Sequence, residues 1–152
     1  SFLKVFQQNI KLIDPIVRLE FLRGAFIREF YKEKNKFLQY NGFELMTDHF
    51  DIYKKVKENA INISHIYTHK KLPDIPLADI LITSRLMMYP NLLFLTIDSG
   101  DFSTLLFDRL AIVSIENKTK KAPIWIEHIH ILKFNQKKFK KCFSELPSGV
   151  KK

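Results

Sequence analysis

Apolar residues recur at two spacings along this chain, and the alternation between them predicts a mixed α/β fold. Phe2, Val5 and Phe6 fall at helical steps and predict the last turns of a helix. Ile10, Leu12 and Ile13 read as a short strand ended by Asp14-Pro15. A helix is expected from Pro15, because proline is tolerated in a first turn. Its residues Ile16, Leu19, Leu22, Phe26, Ile27 and Phe30 recur at three- and four-residue steps and predict one buried stripe. Asn41-Gly42 interrupts that pattern. Phe43 to Met46 then reads as a brief strand, with Thr47 or Asp48 capping a helix that runs through Val56 and Ile61.

Pro73 and Pro76 bracket a turn, and Leu77 to Met88 is helical again, stopping before Pro90. Leu92 to Ile97 and Leu110 to Ile115 are continuous apolar runs, the pattern of strands buried on both faces of a parallel sheet. Between them Asp101-Phe102-Ser103 is expected to open a short helix. Ile124 to Leu132 alternates apolar with polar and slips register near His128, which predicts an exposed edge strand with a bulge. Strands separated by helices predict a three-layer α/β/α arrangement with a mainly parallel central sheet and ligands at the carboxyl ends of its strands. Residues 1–143 are expected to form one domain, and 144–152, with Pro147, Ser148, Gly149 and two lysines, a basic flexible tail.

Length and composition narrow the function classes. The 152 residues, 46% hydrophobic and 13% aromatic, suffice for one domain with a real core and differ from the aromatic-poor composition of disordered chains. A net charge of +9 attracts polyanions without saying which. Much of the excess is late, at Lys133, Lys137, Lys138, Lys140, Lys141, Lys151 and Lys152, and such a run also serves as a merely solvated face. Cys142 is the only cysteine, which excludes a disulfide framework and a thiolate zinc site and fits a reducing, cytoplasmic interior. No apolar stretch approaches the roughly 18 residues of a membrane span, so no membrane association is expected. There is no phosphate-binding glycine loop, and four glycines leave no dinucleotide fingerprint. His128 and His130, two apart on a strand, fit a transition-metal pair or simply a polar face.

Four acids sit where such a fold wants something apolar or neutral. Glu20 lies beside the buried stripe of its helix, Asp79 lies within Pro76-Leu77-Ala78-Asp79-Ile80-Leu81-Ile82, and Asp98 and Asp101 follow the strand Leu92 to Ile97. Carboxylates gathered in one pocket repel unless protons or cations neutralise them. Oxygen-only ligands favour Mg²⁺ or Mn²⁺, which keep waters and accept phosphate oxygens, as phosphodiester hydrolysis requires. Each acid has an ordinary alternative. Asp79 suits a helix first turn, Asp98 and Asp101 suit a turn and a helix cap, and Glu20 suits a surface pair with Arg23 or Arg28.

Taken together the segments resemble the PIN domain family. Asp14 to Ala25, with Glu20, resembles the second strand and following helix; Pro76 to Ile82 resembles the helix that carries a further acid; and Leu95-Thr96-Ile97-Asp98-Ser99-Gly100-Asp101-Phe102 resembles the T-x-D/N-x-x-D-F signature. The resemblance covers the chain to about Ile115. It implies a metal-dependent ribonuclease of the VapC toxin type, with Glu20, Asp79, Asp98 and Asp101 on Mg²⁺ or Mn²⁺ and Thr96 contributing a hydroxyl. It further implies RNA as substrate and an antitoxin protein as partner, and it admits a homodimer. PIN domains open with a strand ending in an Asp, and here Phe2 to Gln8 reads as the helix leading into the second strand, so that opening strand and its Asp are expected to be missing. A non-catalytic PIN-like module binding RNA or protein is the alternative.

Overall fold

The computed structural model describes residues 8–23, 28–47, 50–119 and 122–149. Among them the chain is mixed α/β, with five helices and two small sheets. It divides into two compact units, Ser1–His49 and Phe50–Lys152, where the length predicts one domain.

In the first unit, β1 (Lys11–Ile13), α1 (Pro15–Arg23), α2 (Arg28–Tyr40) and β2 (Phe43–Leu45) follow in order. The two strands pair in parallel, Lys11 opposite Phe43 and Ile13 opposite Leu45. A parallel pair cannot be closed by a tight turn, and α1 with α2 supplies the crossover. Asp14 starts α1 by accepting the Ile16 amide at 2.8 Å. Gly42, at φ +67°, ends α2 and donates its amide to the Gln39 carbonyl, a left-handed position that glycine occupies without strain. The expected stripe does not form as one buried face. Leu22 is buried, while Leu19 and Phe30 are exposed, and two three-residue strands offer little surface to cover them. Phe26 and Ile27, like Phe2, Val5 and Phe6, lie outside the described residues.

The second unit opens with α3 (Phe50–His69) and α4 (Leu77–Met88), the latter with the predicted bounds. Val56, Ala60, Ile63, Ile66 and Tyr67 on α3 and Ile80, Thr83 and Leu86 on α4 are buried at helical steps, and these two helices pack together. α3 ends in a Schellman motif: Leu72 donates its amide to the Tyr67 carbonyl at 3.0 Å and Lys71 to that of Thr68 at 3.1 Å, with Lys71 at φ 53°.

β3 (Phe94–Thr96), β4 (Phe107–Thr119) and β5 (Ala122–Phe134) make a sheet in the order β3-β5-β4, antiparallel throughout. Two expectations are corrected here. The apolar runs belong to an antiparallel sheet, because β4 ends at Thr119 and β5 begins at Ala122, and so short a connection joins only antiparallel neighbours. β5 is therefore the central strand, and its register with β4 shifts twice, between Arg109 and Ala111 and between Asn117 and Thr119, while His128 itself pairs regularly with Ser114. Nor are the runs buried on both faces. Phe107, Leu132 and Phe134 at the root of the hairpin are buried, while Leu110, Ile112 and Ile126 further out are 53%, 50% and 59% exposed.

Six phenylalanines hold that root together. Ring centroids run Phe94 to Phe102 at 4.6 Å, Phe102 to Phe107 at 5.7 Å, Phe107 to Phe134 at 5.5 Å, Phe134 to Phe139 at 6.0 Å and Phe139 to Phe143 at 5.7 Å. The first three contacts are edge-on, an arrangement worth about 0.5–1.5 kcal/mol each beyond the area buried. The chain of rings links β3, the loop after it, both long strands and α5 (Gln136–Ser144). The predicted helix at Asp101 to Ser103 is absent. A turn takes its place, with the amides of Leu106 and Phe107 both donating to the Ser103 carbonyl. Leu146, 3% exposed, packs inside the unit, so ordered chain runs past the expected boundary at 143.

Candidate functional site

Three of the four predicted acids, and Thr96, lie in the second unit. Asp79 is in the first turn of α4, partly buried, where the helix dipole favours an acid. Thr96 closes β3, and its hydroxyl donates to the Asp98 carbonyl at 2.9 Å and accepts the Asp98 amide at 3.1 Å. Asp98 is exposed and accepts the Gly100 amide on Oδ1 at 3.1 Å. Thr96 and Asp98 are thus engaged in their own turn, which is the ordinary alternative for Asp98. Glu20 belongs to the first unit, exposed on α1. No ion pair joins it to Arg23 or Arg28 among the described residues.

Asp101 is held differently. The Tyr67 hydroxyl donates to the Asp101 carbonyl at 2.9 Å and accepts the Ser103 amide at 3.2 Å, so one side chain of α3 fixes the backbone on both sides of Phe102. Phe102 is buried between Phe94 and Phe107. With its backbone so anchored, the Asp101 carboxylate itself takes no hydrogen bond or ion pair from the described residues.

Tyr67 also reports where the acids are. Burial is the largest influence raising its phenol above the ordinary 10.0, the Ser103 amide works against it, and the negative charges of Asp101 and Asp79 raise it further. Two carboxylates from distant parts of the chain therefore bear on one hydroxyl. Beside it opens a cleft of about 270 Å³, with Tyr67, Leu72 and Pro73 on one side and the loop from Ser99 to Thr104 on the other.

One turn along α4 from Asp79, Thr83 is fully buried and its hydroxyl oxygen has no partner among the described residues. Asn62 on α3 is likewise buried with its amide oxygen unpartnered. Such groups are uncommon in folded proteins. Sequence reading passed over Tyr67, Thr83 and Asn62. The available signal was polar residues at buried helical steps, Asn62 and Tyr67 among Ile63 and Ile66, and Thr83 among Ile80 and Leu86.

The donor set can be tested against a divalent cation. Among the described residues no group of three or more His, Cys, Asp or Glu side chains comes together to enclose a metal. Mg²⁺ is commonly held by one or two carboxylates with waters and substrate phosphates completing its shell. The described residues thus offer no closed protein cage, and a site of the open kind would draw on two carboxylates at most. Lone His128 and His130 do share a strand face, but His128 Nδ1 is 2.9 Å from Ser114 Oγ, which fits the polar-face reading.

No family model, no curated protein and no solved structure matches this chain.

Proposed function

We propose that the second unit is the metal-binding part of a ribonuclease, in which Asp79 and Asp101 hold a Mg²⁺ or Mn²⁺ ion. The observation that carries this reading is the Tyr67 clamp, which fixes the backbone of Asp101 at the cleft lined by the signature loop and leaves its carboxylate unbonded among the described residues, with the charge of Asp79 also felt at that phenol. A bound cation of this class lowers the pKa of a water and stabilises charge on a phosphate. Asp101 keeps its carboxylate clear because the Tyr67 hydroxyl anchors its backbone instead. Thr96 and Asp98 shape the entry turn, and Asp98 Oδ2 remains without a hydrogen bond among the described residues, which leaves that oxygen for a water or a second metal contact. The resemblance adds a PIN-like three-layer arrangement, a functional role for Glu20, a toxin role in a type II toxin–antitoxin system, and an antitoxin partner.

The experiment is cleavage of RNA with Mn²⁺ or Mg²⁺ by the chain and by its Glu20→Gln, Asp79→Asn, Asp98→Asn and Asp101→Asn variants. Loss of turnover in Asp79→Asn and Asp101→Asn supports the assignment, and parental turnover in both removes it. Glu20→Gln decides by itself whether that residue takes part. A second reading, a non-catalytic RNA- or protein-binding module, is favoured by the absence of a three-ligand group among the described residues. Salt-sensitive RNA binding with no metal-dependent turnover by any preparation supports it.

A further inference from the structure

α5 concentrates positive charge in the described part of the second unit, and the acid that follows it, Glu145, is paired with Lys70. Its sequence, QKKFKKCFS, holds four lysines and no acid. Lys137, Lys140 and Lys141 are all exposed and stand at i, i+3 and i+4, so they share one face of the helix within a single turn. Lys138 lies off that face and is neutralised: its ammonium pairs with Asp108 Oδ1 at 2.8 Å and donates to the carbonyls of Thr104 at 3.0 Å and Phe107 at 2.9 Å.

This placement works against the helix. Like charges three and four residues apart each destabilise it by a few tenths of a kcal/mol, and Lys137 stands in the first turn, where the dipole favours anions. The structure compensates elsewhere. Asn135 caps the helix by accepting the amides of Lys137 and Lys138 at 3.0 and 3.1 Å, and its Nδ2 donates to Asp108 Oδ2 at 2.7 Å. A helix fixed this firmly, with three exposed ammonium groups crowded on one face and one of them, Lys137, at the end that disfavours cations, is arranged to meet an anion.

The opposite face limits what that anion is. Phe139 and Cys142 are buried, and Phe143 stacks on Phe139. A helix that lies on a membrane needs its apolar face free to enter the lipid, and here that face is taken up by the core. A phosphodiester backbone needs only cations. α5 also packs along Thr104 to Phe107, through the Lys138 bonds and a contact from Cys142 Sγ to the Leu105 carbonyl at 3.9 Å. That stretch directly follows the Asp98 to Ser103 loop.

We infer that Lys137, Lys140 and Lys141 form a phosphate-binding ridge for nucleic acid, seating the backbone of an RNA strand beside the carboxylate loop. The choice of RNA rests on the functional reading above. The ridge itself does not depend on that reading's metal chemistry, so binding is measured in EDTA, where metal-dependent turnover plays no part.

The probe is a fluorescein-labelled 12-nucleotide oligouridine, titrated by anisotropy over a series of salt concentrations. For the intact chain the logarithm of the association constant falls linearly with that of the salt concentration. The triple variant Lys137→Gln/Lys140→Gln/Lys141→Gln loses about two from that slope, at roughly 0.7 per phosphate contact on a single strand, and on the order of tenfold to 100-fold in affinity near 0.1 M salt. The matching triple Lys→Arg variant keeps slope and affinity. A control variant, Lys54→Gln/Lys55→Gln/Lys57→Gln on the exposed side of α3, removes the same charge and leaves the slope nearly unchanged. Circular dichroism melting establishes that all three variants are folded. Unchanged RNA binding by the α5 Gln variant overturns the inference, as does an equal loss in the α3 control. An α5 Gln variant that loses binding to phosphatidylserine vesicles but keeps RNA also overturns it. Oligodeoxyuridine bound as tightly as oligouridine keeps the ridge and removes the RNA preference. RNA binding through the ridge by an intact chain that shows no turnover with Mn²⁺ or Mg²⁺ overturns the nuclease reading alone.

Discussion

The Thr96 to Gly100 turn and the Asp101 to Phe107 stretch adjoin in sequence and each carries one signature aspartate, yet they are held by opposite means. The turn satisfies itself: Thr96 bonds both the amide and the carbonyl of Asp98, and Asp98 bonds Gly100, all in an exposed position. The stretch is fixed from outside, by the Tyr67 hydroxyl on α3 and by Phe102 and Phe107 in the chain of rings. A carboxylate in the first setting has an oxygen committed to local geometry. In the second the backbone is committed and the carboxylate is not. Identical residue types three positions apart thus differ in what chemistry is left to them.

The contrast has measurable consequences. Phe107→Ala is expected to cost the second unit about 3–5 kcal/mol in urea unfolding, because a fully buried ring between two others leaves a cavity. Tyr67→Phe is expected to cost about 1–3 kcal/mol by leaving the Asp101 carbonyl and the Ser103 amide without their partner, and hydrogen exchange should quicken at Ser103 more than at Gly100. Equal exchange at both amides would show that the clamp does not distinguish the two settings. Lys71→Gly is expected to raise stability by about 1 kcal/mol, since a lysine at φ 53° is strained where glycine is not. Asp98→Asn, whose amide oxygen still accepts the Gly100 amide, is expected to change stability by less than about 0.5 kcal/mol.

The smallest effect concerns acid. Asp108 lies on β4 at the root of α5, and the Lys138 ammonium first, then the Asn135 amide, holds its carboxyl below the ordinary 3.8. A depressed carboxylate contributes stability that is present above its unfolded value and is lost as pH falls through the lower folded one. The advantage of the parent over Asp108→Asn should therefore hold at neutral pH and shrink below about pH 4. An advantage that grows on acidification would contradict the pairing.

Much of the helical architecture was legible. α4 has the predicted bounds because Pro76 and Pro90 bracket a periodic run, and Asn41-Gly42 marks the end of α2 because its glycine takes a positive φ. The sheet was not legible, for a physical reason. Leu110 to Ile115 reads as a strand covered on two sides, but an apolar run looks the same in a parallel core and in an antiparallel hairpin that leaves Leu110 and Ile112 exposed. Nor does Lys120-Lys121 resemble a favoured hairpin turn. The site was half legible. The aspartates stand out as charges at strand and helix ends, whereas the Tyr67 clamp joins residues 34 and 36 positions apart and has no local pattern.

Calorimetric titration of Mn²⁺ into the intact chain and into its Asp79→Asn and Asp101→Asn variants tests most directly whether these two carboxylates share a cation. The expected result is a binding heat in the parent that weakens by about tenfold or more in each variant, with both variants still folded. Identical isotherms for all three proteins would contradict it.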